Sequence, residues 1–81
     1  MIKIYSVPDC KLCKKAKELL TKMNIEFEEY NLKKPENRDA RKFYRNLGVK
    51  TAPIIVGVDK KGEEWILTEF NEESLLELLG V

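Results

Sequence analysis

Tyr5-Ser6-Val7-Pro8-Asp9-Cys10-Lys11-Leu12-Cys13-Lys14-Lys15-Ala16-Lys17 contains both cysteines of the 81-residue chain, at the point where a short apolar strand gives way to a helix. A Cys-x-x-Cys pair in that context reads as a thiol–disulfide redox centre. With Cys10 at the helix start, its sulfur faces unpaired backbone N–H groups and the positive end of the helix dipole. Both stabilise a thiolate, and the ammonium groups of Lys11 and Lys14 add to them. Cys10 is therefore expected to ionise well below the value of about 8.5 of a free thiol. Cys13, one turn further in, is close enough to close a disulfide but is shielded by the helix. Cys10 is the expected attacker and Cys13 the resolver.

Reading outward, Ile2 and Ile4 mark a short strand before the cysteines, and Pro8-Asp9 a loop. Leu12, Ala16, Leu19, Leu20 and Met23 recur at helical spacing up to Asn24. Lys11, Lys14, Lys15, Lys17 and Lys22 fill the rest of that helix, either as a solvated face or, because lysines oppose the dipole near a helix start, for the sake of Cys10. Residues 25–30 alternate as an edge strand. Pro35 suits a first helical position, and Ala40, Phe43, Tyr44 and Leu47 carry a helix to Gly48.

Residues 53–56 form an apolar strand, Asp59-Lys60-Lys61-Gly62 a hairpin turn, and Trp65-Ile66-Leu67 the returning strand. Asn71 caps a last helix with Glu72 and Glu73 in its first turn, Phe70 placed to staple against Leu75, and Leu75, Leu76, Leu78 and Leu79 as its buried face. Phe43, Tyr44 and Trp65 read as packing residues. The order is β-α-β-α-β-β-α, an α/β fold with a four-stranded mixed sheet covered by helices on both faces. One domain over residues 1–81 is expected.

Charged residues make up 36% of the chain, yet the net charge is +1, a balance that argues for a soluble protein and against nucleic-acid or membrane binding. No apolar run reaches the roughly 20 residues of a membrane span, and no signal-peptide pattern opens the chain. The expected location is the cytoplasm, where a cysteine pair is more often catalytic or metal-binding than structural. Histidine is absent, which removes the commonest general base and most zinc sites. A monomer is expected.

Thr51-Ala52-Pro53 precedes the third strand, where a proline is tolerated in either peptide isomer. Together with Tyr5 to Cys13, Ala16-Lys17, the hairpin and the capped helix, this segment resembles the glutaredoxins and their relatives of the thioredoxin superfamily along essentially the whole chain. The resemblance implies a thioredoxin-like fold with a cis Pro53 beside the two sulfurs. It implies that the Ala52 backbone, flanked by Thr51 and Phe70, pairs with an extended substrate segment. Cys10 then attacks the substrate disulfide, and Cys13 displaces the mixed disulfide to leave a Cys10–Cys13 bond.

The departures from that family also count. Lys11 and Leu12 stand where glutaredoxins usually carry Pro-Tyr, and Val7 where they place a lysine for the carboxylate of glutathione. Thr68 and Glu69 replace a Gly-Gly pair, so Glu69 adds bulk and negative charge where an anionic tripeptide would dock. These departures favour the glutaredoxin-like electron donors that are reduced by a thioredoxin-reductase-type flavoprotein and serve ribonucleotide reductase, although only Phe70 of their Ser-Gly-Phe-Arg-Pro segment is present. The charged hairpin from Asp59 to Glu64 is similar to thioredoxin itself. The expected activity is dithiol reduction of protein disulfides, with a glutathione-dependent reaction as the alternative. A metal or iron–sulfur carrier is the competing class, since two thiolates are half a zinc site. A structural disulfide or a binding module without turnover completes the set.

Overall fold

The computed structural model describes residues 1–80. The elements are β1 (Ile2–Ser6), α1 (Lys11–Lys22), β2 (Phe27–Asn31), a 3-10 turn (Pro35–Asn37), α2 (Arg38–Asn46), β3 (Ile54–Val58), β4 (Glu64–Leu67) and α3 (Glu72–Leu79). The sheet order is β2-β1-β3-β4. β1 runs parallel to β2 and antiparallel to β3, and β3 and β4 form the antiparallel hairpin. This is the mixed four-stranded, thioredoxin-like arrangement expected from the order of elements.

Strand alternation divides the core between the two faces. Ile2, Ile4 and Ile55 meet Ala16 and Leu20 of α1 and Leu75 of α3 on one side. Tyr5, Ile54 and Val56 meet Leu32 and Ala40 on the other, with Phe43 of α2 and Leu47 at its C-cap packed against them. Tyr5 stacks between Tyr30 and Phe43, at centroid distances of 5.4 and 4.9 Å. The register then positions the site. Because Tyr5 pairs with Ile54 in antiparallel β1 and β3, the loop leaving β1 toward Cys10 meets the loop that enters β3 through Pro53.

Several boundaries differ from the sequence reading. Residue 25 lies outside β2. Asn24 takes a left-handed φ of 59°, and its N–H and that of Ile25 bond back to the Thr21 and Leu20 carbonyls. That is a Schellman close with asparagine in place of glycine, and Ile25 is the apolar residue that follows it. The helix expected from Pro35 is broken at Asn37, whose side-chain amide donates to the Asn31 carbonyl at 2.9 Å. Arg41 holds the same connection by donating to the Leu32 and Lys34 carbonyls at 3.2 and 2.6 Å.

Strand β3 starts one residue later and runs two residues further than expected, through Gly57 to Val58. Gly57 pairs with Trp65, and a Cβ there would collide with the indole ring and with Ile2. The glycine makes room for the only tryptophan. The caps agree with expectation: Gly62 adopts φ 82°, and Asn71 Oδ1 accepts the Ser74 N–H at 2.8 Å. No helix among the described residues is long and apolar enough to cross a membrane.

Candidate active site

Cys10 is the N-cap of α1, with extended backbone at φ −107° and ψ 108°. Its carbonyl accepts the Lys14 N–H at 3.2 Å, the first helical hydrogen bond, and its sulfur accepts the Cys13 N–H at 3.1 Å. A sulfur thus stands where a serine or aspartate oxygen ordinarily caps a helix. Asp9 makes the approach possible by taking a left-handed φ of 56°, which a short polar side chain tolerates.

The first turn of α1 has no acidic residue, so no carboxylate within it offsets the positive helix end that faces Cys10. Lys11 and Lys14 flank the sulfur in sequence and are exposed. Neither is ion-paired among the described residues, where the one salt bridge joins Lys17 to Glu29.

A disulfide joins Cys10 to Cys13 across a Cα–Cα distance of 5.2 Å. The two sulfurs are unequally placed. Cys10 is half-buried, whereas Cys13 is only 2% exposed. An incoming disulfide therefore meets Cys10 first.

The second half of the site is Thr51-Ala52-Pro53. The Ala52–Pro53 peptide is cis, Pro53 is fully buried, and the Ala52 carbonyl oxygen lies 3.9 Å from Cys10 Sγ. Two hydroxyls brace this loop. Tyr44 Oη donates to the Thr51 carbonyl at 2.7 Å, and Thr51 Oγ1 donates to the Thr68 carbonyl at the end of β4.

The sequence reading placed Tyr44 in the core only, and its ring is indeed half-buried against the α2 cluster. The available signal was the hydroxyl itself, which needs a partner when its ring is packed away. Phe70 packs on the cluster shared by α1 and α3 and, with Leu12, lines a groove of about 470 Å³ that runs along α1.

Beneath α1, Glu29 Oε2 accepts from Ser6 Oγ at 2.7 Å and from Lys17 Nζ at 2.9 Å. Burial pushes the Glu29 carboxyl up, but the bonds from Lys17 and Ser6 and the charges of Lys17 and Lys34 outweigh it and hold it below the usual carboxylate range. This cluster ties edge strand β2 to the end of β1 and to the helix that carries both cysteines.

Val7, where the resemblance implies a lysine for glutathione, packs against the apolar cluster under α2, and Glu69 is exposed. Among the described residues, no three cysteine, histidine or acidic side chains converge as a metal-ligand set.

The family model for glutaredoxin matches residues 2–62. A glutaredoxin-like 8.6 kDa protein of the rubredoxin operon of Clostridium pasteurianum is 33% identical over 79 residues, covering 98% of this chain and 97% of the relative. The crystal structure of the thioredoxin-like protein BC3987 superposes with a TM-score of 0.71 at 31% identity, over 96% of this chain and 99% of that one. A glutaredoxin of Archaeoglobus fulgidus gives a TM-score of 0.73 at 25% identity, over 99% of this chain and 86% of that one.

Proposed function

Since the chain belongs to the glutaredoxin family and is a dithiol–disulfide oxidoreductase, we propose that it reduces protein disulfides through Cys10 and Cys13 and is recharged by a thioredoxin-reductase-type flavoprotein. The observation that carries this reading is the unequal pair at the helix start. Cys10 Sγ is half-buried and hydrogen-bonded by a backbone N–H, and Cys13 is enclosed directly behind it.

The reaction follows from that placement. In the reduced protein the helix end and the Lys11 and Lys14 charges stabilise the Cys10 thiolate. The substrate segment lies along Thr51 and Ala52, with Pro53 fixing the turn and Phe70 bordering the site. The thiolate attacks one substrate sulfur, a Cys10–substrate bond forms, and the other substrate sulfur leaves as a thiolate that takes up a proton. Cys13 then gives up its proton and attacks Cys10 Sγ, and the first substrate sulfur departs as a thiol. Two electrons have passed to the substrate, and the protein holds the Cys10–Cys13 disulfide.

The choice of reductant rests on Val7 and Glu69, which remove the glutaredoxin lysine and add an anion where glutathione would sit. Ribonucleotide reductase is the first substrate to try. The test is reduction of a standard protein disulfide, run in parallel with NADPH and thioredoxin reductase and with NADPH, glutathione and glutathione reductase. Turnover with the flavoprotein and little with glutathione is expected. Brisk turnover with glutathione alone would reverse the assignment of the reductant.

A further inference from the structure

We propose that the protein segment delivering its disulfide to Cys10 is acidic, and that its carboxylates lie along the lysine face of α1. The proposal deepens the reductase reading and rests on it. Between Asp9 and Lys22 the chain carries five lysines against two acids, while the whole chain is only +1. The positive charge is therefore gathered at the redox centre, and the remainder of the molecule is net negative.

Folding favours Lys22, a cation in the last turn of α1, but it does not call for the lysines of the first turns. Lysines in the first turns oppose the helix dipole, and Lys11–Lys14 and Lys11–Lys15 are like-charged neighbours on one helix surface. Stabilising the Cys10 thiolate accounts for Lys11 and Lys14. It does not account for Lys15 or Lys22, which lie further along α1.

Those two line the groove that starts at Leu12, within the redox motif, and continues past Leu19 to Phe70. Leu12 is 45% exposed, an apolar contact point set among cations. Glu18 and Glu72 also border the groove, but neither is ion-paired with Lys15 or Lys22 among the described residues. Glu72 already serves the N-terminus of its own helix. The groove lining alone balances Lys15 and Lys22 against Glu18 and Glu72. The excess is that of the α1 surface, where exposed Lys11, Lys14, Lys15 and Lys22 stand against Glu18. A segment with an apolar residue over Leu12 and Phe70 and carboxylates toward those lysines matches it in sign.

The test uses the pre-reduced protein and a set of disulfide peptides that differ only in having Glu, Gln or Lys at the positions flanking one cysteine. The Glu peptide is expected to react about tenfold faster than the Gln peptide at low salt, a steering effect of ordinary size for a charged cleft. That advantage shrinks as salt is raised. The double variant Lys15→Glu, Lys22→Glu is expected to reverse the preference while leaving reduction of an uncharged small disulfide unchanged. Equal rates for all peptides, or a preference the double variant does not alter, would overturn the proposal and leave the reductase reading intact. Failure to reduce even the small disulfide would overturn both.

Discussion

The Cys13 backbone N–H donates to Cys10 Sγ at 3.1 Å, so the residue we propose as the resolver also steadies the sulfur we propose as the attacker. The two roles require different environments for chemically identical side chains. The fold supplies them by placing one cysteine at the helix cap and the other one turn inside.

In the reduced protein, the helix end and the Cys13 N–H are expected to make Cys10 ionise below a free thiol. The measurement is the rate of alkylation at Cys10 against pH. The double variant Lys11→Gln, Lys14→Gln is expected to move the midpoint upward and slow alkylation at neutral pH, while reaching the same plateau at high pH. An unmoved midpoint would leave the backbone N–H and helix end as the sole source of activation.

Tyr44 Oη holds the Thr51 carbonyl at 2.7 Å, and its removal should loosen the segment along which a substrate backbone aligns. Loss of one such bond is worth about 1 kcal/mol, so Tyr44→Phe is expected to raise KM for a protein disulfide roughly five-fold. Reduction of a small disulfide, which needs little of that segment, should be unaffected. Equal losses on both substrates would point to general destabilisation instead.

The reach of the sequence can be judged from single residues. Cys10 and Cys13 were legible as a Cys-x-x-Cys pair at a strand–helix junction, whereas the place of Pro53 beside them came from the resemblance to the glutaredoxins and not from its residue type. Tyr44 was not, because the partner of its hydroxyl is a backbone carbonyl brought close only by folding. Ile25 continued the alternation of β2 on paper, but the left-handed turn at Asn24 assigns it to the helix close. Asn37 and Arg41 bind main-chain carbonyls of the preceding loop, and no apolar period registers such bonds.

Glu29 gives a pH dependence with a definite sign. Its carboxyl is held below its unfolded value, so the anion stabilises the fold above the carboxylate range. That contribution begins to fade as pH falls through about 4.3 and is gone below the folded-state value. The difference in urea midpoint between the parent and Glu29→Gln should therefore be largest near neutral pH and should close in acid. A difference that is constant with pH would mean that the Ser6 and Lys17 bonds do not depend on the charge.

Gly57 is expected to tolerate almost nothing, because the Trp65 ring and Ile2 occupy the space of a side chain. Gly57→Val should cost about 1–3 kcal/mol, as overpacking of a filled core does. Denaturant unfolding measures this directly, and a change of less than about 0.5 kcal/mol would contradict the packing of β3 against β4.

The division of labour between the cysteines is tested most directly by trapping. Cys13→Ser and Cys10→Ser proteins are each reduced, mixed with a protein disulfide, quenched with acid and mapped by mass spectrometry. A mixed disulfide on Cys10 of the Cys13→Ser protein, with none on the Cys10→Ser protein, is the expected result. Adducts forming equally fast on Cys13 of the Cys10→Ser protein, or on neither protein, would contradict it.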